Sequence, residues 1–155
     1  GVGVTVMELR AKSRLAKLRH GVGLIVVDYL QLVESAGVAE KREEAVAEIS
    51  RGLKRLAKEL DLPVLALAQI NRGTEAREDK RPRMADLRES GAIEADADVI
   101  LLLYREFYYK PDRTELARKA EIDVAKNRNG APGLVELDWE AEFMRFGNRA
   151  WGEGS

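Results

Sequence analysis

Asp28 stands at the end of an unbroken apolar run, Leu24-Ile25-Val26-Val27. Such a run has the composition of a strand buried on both faces of a parallel sheet, and the residue after it emerges at the C-terminal edge, where open α/β sheets bind ligands. A carboxylate there can hold Mg²⁺ through water beside the phosphates of a nucleotide, or it can cap a loop. Gln69 follows a second apolar run, residues 64–68. A neutral amide in that place can donate to a phosphate oxygen or orient a water, or complete an ordinary strand-end hydrogen bond. Lys126 and Arg128 are two apart, so on a continuing strand both side chains point to one face. Two adjacent cations suit an anionic group, and the guanidinium fork suits phosphate. Beside the Asn129-Gly130 turn signal they can reach a neighbouring molecule, or form a solvated basic hairpin. No G-x-x-x-x-G-K-[ST] phosphate loop occurs in the chain. It holds the metal side of a nucleotide site without the phosphate cradle, which points to part of a domain.

Arg72, Arg77, Lys80, Arg81, Arg83 and Arg88 form a basic stretch diluted by Glu75, Glu78, Asp79 and Asp86. A loop of this kind tracks a phosphate backbone or lies as a solvated charged surface, and with little aromatic interleaving it offers few platforms for base stacking. Glu89, Glu94, Asp96 and Asp98 can act as general acids, but nothing pairs them with a nucleophile, and they read as helix caps or partners of basic groups. Tyr104, Tyr108 and Tyr109 can flank a nucleotide base or serve core and surface packing, and Trp139 and Phe143 read as the apolar side of a terminal hairpin.

The elements that must position these groups follow from patterning. Thr5-Val6-Met7-Glu8 has the form of a capping box, so a helix starts at Val6 and ends near His20-Gly21, with Arg10, Arg14 and Lys17 on one face. Residues 34–41 read as a polar connection. A helix over 42–60 repeats Val46, Ile49, Leu53, Leu56 and Leu60 at 3,4 spacing, a stripe for packing on a sheet. Strand, helix and strand in this order predict a right-handed parallel crossover between 24–27 and 64–68. Residues 70–88 read as a long charged loop, 86–94 as a short helix interrupted near Ser90-Gly91, 99–103 as a third buried strand, 106–119 as a polar insert and 122–125 as a fourth strand. Residues 134–139 and 143–146 alternate as short antiparallel strands, and the tail from Gly152 reads as frayed.

With 155 residues, 45% hydrophobic and 34% charged, the chain is long enough for one domain with a real core. It has no cysteine and one histidine, which excludes disulfides and thiolate or His-cluster metal sites. The net charge of -1 leaves partners open, because basic residues can still cluster. No secretory leader and no apolar stretch of about 18 residues is present, so no membrane and a cytoplasmic location are expected. The first residue is Gly1, not Met, consistent with a fragment, a processed product or the removal of a tag.

Four motifs in order resemble the C-terminal ATPase domain of bacterial replicative DNA helicases, the ring-shaped DnaB-type family. They are LIVVDYLQL at 24–32, ALAQINR at 66–72, DLRESGAIEADAD at 86–98 and AKNRNG at 125–130. ELRAK at 8–12 is a further likeness, and the 86–98 block is the most specific piece. The resemblance covers nearly the whole chain and implies an α/β fold: a partial RecA-like P-loop ATPase core, a mostly parallel sheet flanked by helices, and a C-terminal antiparallel hairpin. Residues 1–150 would be the C-terminal portion of that domain and 151–155 a tail.

The resemblance implies roles for particular residues. Asp28 would bind Mg²⁺ with ATP, and Gln69 would sense the γ-phosphate. Arg88 would contact the single-strand backbone in a loop shaped by Glu89 and Gly91. Lys126 and Arg128 would reach the γ-phosphate held by the neighbouring subunit, Arg128 as an arginine finger. The partners implied are single-stranded DNA, further copies of the protein in a homo-hexamer, primase and a helicase loader.

The chain departs from the family pattern in lacking the phosphate loop, the water-activating glutamate, the N-terminal collar and the linker helix. It also has Ile70 where Leu is commoner and Asn127 where Gln is commoner. The missing phosphate ligation predicts that this polypeptide alone does not hydrolyse ATP. Rival expectations are a RecA-like recombination or repair ATPase, and a non-catalytic truncated paralogue that binds DNA or a helicase.

Overall fold

The computed structural model describes residues 3–34, 42–70, 72–87 and 91–149. The chain divides into two units, Gly1–Ala76 with Met84–Ala97, and Arg77–Arg83 with Asp98–Ser155. Among the described residues no helix is long and apolar enough to cross a membrane.

In the first unit, Thr5 closes the expected capping box. Its hydroxyl accepts from the Glu8 backbone N–H, and the Glu8 carboxylate accepts from the Thr5 N–H at 2.9 Å. Helix α1, Val6–His20, ends at Gly21, whose left-handed conformation (φ 60°) lets its N–H reach the Lys17 carbonyl. The basic face of α1 is committed within the chain. Arg10 and Arg14 both bind Glu59, and Lys17 donates to the Leu60 carbonyl at the end of helix α2, Arg42–Leu60. A cation there complements the α2 dipole. The α1–α2 crossing is close: a Cβ on Gly52 would lie 2.5 Å from Val6 Cγ1.

The apolar stripe of α2 is buried as its spacing predicts. Val46, Ile49, Leu53, Leu56 and Leu60 form one core with Ile25, Val27, Leu30 and Val33. Strands β2, Ile25–Val27, and β4, Val64–Ala66, pair in parallel as the crossover pattern requires. A second parallel pair, β1 (Val4–Thr5) with β3 (Val33–Glu34), falls in stretches that carry no strand pattern in sequence. Beyond Glu34 the expected polar connection lies outside the described residues.

The structure departs from the sequence expectation in burial. Runs 24–27 and 64–68 read as strands covered on both faces, yet only one face is covered. Ile25 and Val27 face α2, whereas Leu24, Val26, Leu65 and Leu67 are each about half exposed. Continuous apolar runs mark strands meant for cover on both sides, and among the described residues only α2's side receives it.

The second unit is a four-stranded antiparallel sheet ordered β5 (Val99–Tyr104), β6 (Lys119–Asn127), β7 (Gly133–Glu140), β8 (Arg145–Asn148). The expected hairpin is present as β7 and β8, within a larger ladder. Residues 106–119 are not irregular throughout: they hold the short helix α4, Glu106–Tyr109, and a 3-10 turn, Thr114–Leu116, that buries Leu116. Trp139 is buried and meets Phe146 at 4.7 Å between ring centres. Phe143 is not on the hairpin's apolar side. It lies in the 3-10 turn Ala141–Phe143 and is exposed, because Met144 takes a left-handed conformation (φ 48°) and breaks the alternation between 143 and 146.

Candidate functional site

In the first unit the two strand-end polar residues lie at the same edge of one parallel pair. Val27 lies opposite Ala66, and the pairing continues past both strands: Leu67 N–H donates to the Val27 carbonyl at 2.9 Å, and Leu30 N–H to the Leu67 carbonyl at 2.7 Å. Asp28 and Gln69 therefore stand at the C-terminal ends of neighbouring parallel strands, and both are exposed.

One residue of this arrangement has no signal of its own in sequence. The side-chain amide of Gln31, in the 3-10 turn Leu30–Leu32, donates to the Gln69 carbonyl at 3.0 Å and accepts from the Gln69 N–H at 3.3 Å. It pairs with Gln69 as a strand would, where no strand continues. The buried Leu30 next to it ties this turn to the core.

These residues fit the metal side of a nucleotide site. Magnesium is commonly held by one or two carboxylates together with phosphates and waters, and one carboxylate at a strand end meets that need. No cluster of three or more His, Cys, Asp or Glu side chains able to hold a metal occurs among the described residues.

A 3-10 turn, Met84–Leu87, precedes helix α3, Gly91–Asp96. Helix α3 packs against α2, and the 3-10 turn before it packs against α3. The buried Ser50 hydroxyl donates to the Asp96 carboxylate at 2.8 Å, so this acid holds α3 on α2. Gly91 is the first residue of α3, with open space where a Cβ would stand. The DNA-contact expectations for Arg88 and Glu89 lie outside the described residues.

In the second unit, Lys126 and Arg128 leave the end of β6. Strand β6 carries a bulge: Leu101 opposes Val124 and Ile100 opposes Lys126, which leaves Ala125 extra. Opposed residues share a face, so Lys126 falls on the face of the buried Ile100, Leu102 and Tyr104, with Glu121 and Asp123. Without the bulge it would point the other way. β6 ends at Asn127, but the Arg128 N–H still donates to the Asp98 carbonyl at 2.9 Å, and its guanidinium lies 3.5 Å from the Asp98 carboxylate. Asp98 is thus the partner of a basic group, as its lack of a nucleophile suggests. Asn127 accepts from the Asn129 N–H at 3.2 Å, and the loop to Gly133 exceeds a two-residue hairpin.

Part of the basic stretch is paired within the chain. The Arg81 guanidinium binds Glu121 through two bonds of 2.8 Å and lies 4.8 Å over the Tyr104 ring. Glu121 above all holds Arg81 charged, raising it from its already high ordinary value. Burial raises the Tyr104 phenol, with Glu106 adding to the effect. Tyr104 and Tyr109 stack with 5.9 Å between ring centres, and Tyr108 meets Tyr109 edge-on at 5.1 Å. These tyrosines pack on one another in the way their packing alternative expects.

A family model described as DnaB-like helicase C terminal domain matches residues 2–148. The chain is 49% identical over 147 residues to the replicative DNA helicase DnaC of Bacillus subtilis, and 49% identical over 146 residues to the replicative DNA helicase DnaB of Geobacillus stearothermophilus. Each alignment covers 94% of this chain and 32% of the relative, so the chain spans about a third of their length. Among solved structures it is similar to one described as an ATPase domain, at TM-score 0.88 and 41% identity, covering 96% of this chain and 52% of that one. A DnaB-like replicative helicase, described with its interactions with primase, is similar at TM-score 0.88 and 40% identity, over 97% of this chain and 37% of that one. The RecA-like α/β reading of the fold agrees with both neighbours, and the chain belongs to the DnaB-like helicase C-terminal domain family.

Proposed function

We propose that this chain is the C-terminal part of the motor domain of a replicative DNA helicase, a homo-hexameric ring that uses ATP to move along single-stranded DNA and separate a duplex. The observation that carries the reading is the adjacency of Asp28 and Gln69 at the ends of paired parallel strands, with Gln31 holding Gln69 by its backbone. Asp28 would hold Mg²⁺ through water, and Gln69 would donate to a terminal phosphate oxygen and register its loss. When bound, the ion would neutralise charge on the phosphates.

Lys126 and Arg128 would serve the nucleotide of the next subunit. A bulge that re-aims Lys126, and a guanidinium whose carboxylate partner is surface-exposed, suit cations that must exchange one anionic partner for another. Arg88, with Glu89 and Gly91, would contact the DNA backbone. Contacts of that kind give little sequence selectivity. Primase and a helicase loader are the protein partners this reading implies, primase being named with a structural neighbour.

The test uses a chimaera in which this chain replaces the matching segment of the Geobacillus relative. Asp28→Asn and Arg128→Ala rings should each lose ATP turnover. Mixing the two proteins should restore part of it, because some interfaces then pair an intact Asp28 with an intact Arg128. No recovery on mixing, with rings shown to exchange subunits, would refute catalysis across the interface. The unmodified 155-residue chain should show no turnover.

A further inference from the structure

Residues 77–83 belong with the antiparallel sheet although the chain on either side of them, through Ala76 and from Met84, belongs to the first unit. Arg81 is the hub of this excursion. Its N–H donates to Asp79 at 3.1 Å and its carbonyl accepts from Arg77 at 3.0 Å, which folds the segment into a tight turn. Its guanidinium makes the two-bond fork with Glu121 and covers Tyr104, while the neighbouring Lys80 lies 5.6 Å over Tyr109. Pro82, next in sequence, is buried and has a fixed φ. A planar fork bound at two points and stacked on a ring holds orientation as well as position, which a single ammonium contact does not.

Both ends of this fastening bear on the proposed motor. Glu121 sits on β6, on the same face as Lys126 once the bulge is counted. From Pro82 the chain runs through Leu87 directly into Arg88-Glu89-Ser90-Gly91.

We infer that Arg81 is a positioning residue that fastens the chain entering the Arg88–Gly91 stretch to the strand carrying Lys126 and leading to Arg128, so that movement at the nucleotide is passed to the DNA-contacting stretch. The inference rests on the helicase reading above and adds to it the element that transmits the movement. Arg81 itself touches neither nucleotide nor DNA in this role.

Two measurements separate the fastening from the motor. In the 155-residue chain, Arg81→Ala should speed amide hydrogen exchange at 83–87 by about tenfold or more while leaving the α2 core protected. Unchanged exchange there would overturn the inference whatever the protein does. In the chimaera, Arg81→Ala should keep turnover without DNA within about twofold of the unsubstituted ring, and reduce stimulation by oligo-dT about fivefold or more. Arg81→Lys should fall between. The exchanged pair Arg81→Glu with Glu121→Arg should recover stimulation, which a merely unfolded segment would not do. Full stimulation in Arg81→Ala overturns the inference and leaves the helicase reading standing. An unsubstituted chimaera without ATP turnover overturns that reading and the inference with it.

Discussion

The Gln31 side chain binds the Gln69 backbone at both its carbonyl and its N–H, at 3.0 and 3.3 Å. A primary amide has one donor and one acceptor side, and a strand edge asks for both. Gln31 thereby aims a residue beyond the end of β4, where the strand ladder no longer does so.

Gln31→Glu removes the donor and Gln31→Leu removes both groups. In the chimaera each should lower ATP turnover by about 10-fold or more if Gln69 serves the phosphate as proposed, because small misplacement of such a group is costly. Both hydrogen bonds are exposed, so unfolding free energy should change by only about 1 kcal/mol. Steady-state ATPase assays beside urea unfolding check this. Equal turnover in all three proteins would show that Gln69 needs no such support.

Gly52 has a packing reason to be glycine. Gly52→Ala puts a methyl 2.5 Å from Val6 Cγ1 and should destabilise the fold by about 1–3 kcal/mol. Adding Val6→Ala should return part of that loss, since the clash is with one side chain. A double-mutant cycle of urea unfolding reads the coupling.

Acid should weaken the α1–α2 junction. Hydrogen bonds from Arg10 and then Arg14 hold the Glu59 carboxyl below its ordinary value of 4.5. A depressed folded value means that its stabilising share is full above about pH 4.5 and is lost as pH falls through the folded value. Glu8, held down chiefly by the Thr5 backbone N–H, and Glu106, held down chiefly by Lys110, act in the same direction. Urea midpoints measured from neutral pH down through the carboxylate range should therefore fall, and Glu59→Gln should make the fall shallower. A steeper acid limb in Glu59→Gln would contradict this sign.

Leu24, Val26, Leu65 and Leu67 expose a flat apolar face on a two-stranded parallel pair. The isolated chain should associate in a concentration-dependent way without forming a discrete ring, and bind a hydrophobic dye. Val26→Lys with Leu65→Lys should reduce both effects with little loss of stability, because neither side chain is in the α2 core. Sedimentation velocity showing a discrete hexamer of the isolated chain would refute this.

Much of the local structure was legible because its causes are local. The Thr5–Glu8 box, the Gly21 terminus and the α2 stripe each depend on residues close in sequence, and all three are where spacing puts them. The parallel pairing of β2 with β4 followed from the crossover pattern, and Asp28 and Gln69 from the runs that precede them. Other features depend on distant partners. Nothing near Gln31 in sequence marks its bond to Gln69, 38 positions away. Arg81 read as one of several loop cations until Glu121 and Tyr104 came beside it.

By itself, then, the sequence determined the family, the strand-end positions of Asp28 and Gln69 and the helices that support them, because composition and period encode burial and capping. Only the tertiary structure decided the face of Lys126, through one extra residue at Ala125, and the pairing of Arg10, Arg14, Lys17 and Arg81 within the chain. The physical reason is the same in each case. A charged side chain shows its charge in sequence, but what neutralises it is set by strand register and helix crossing.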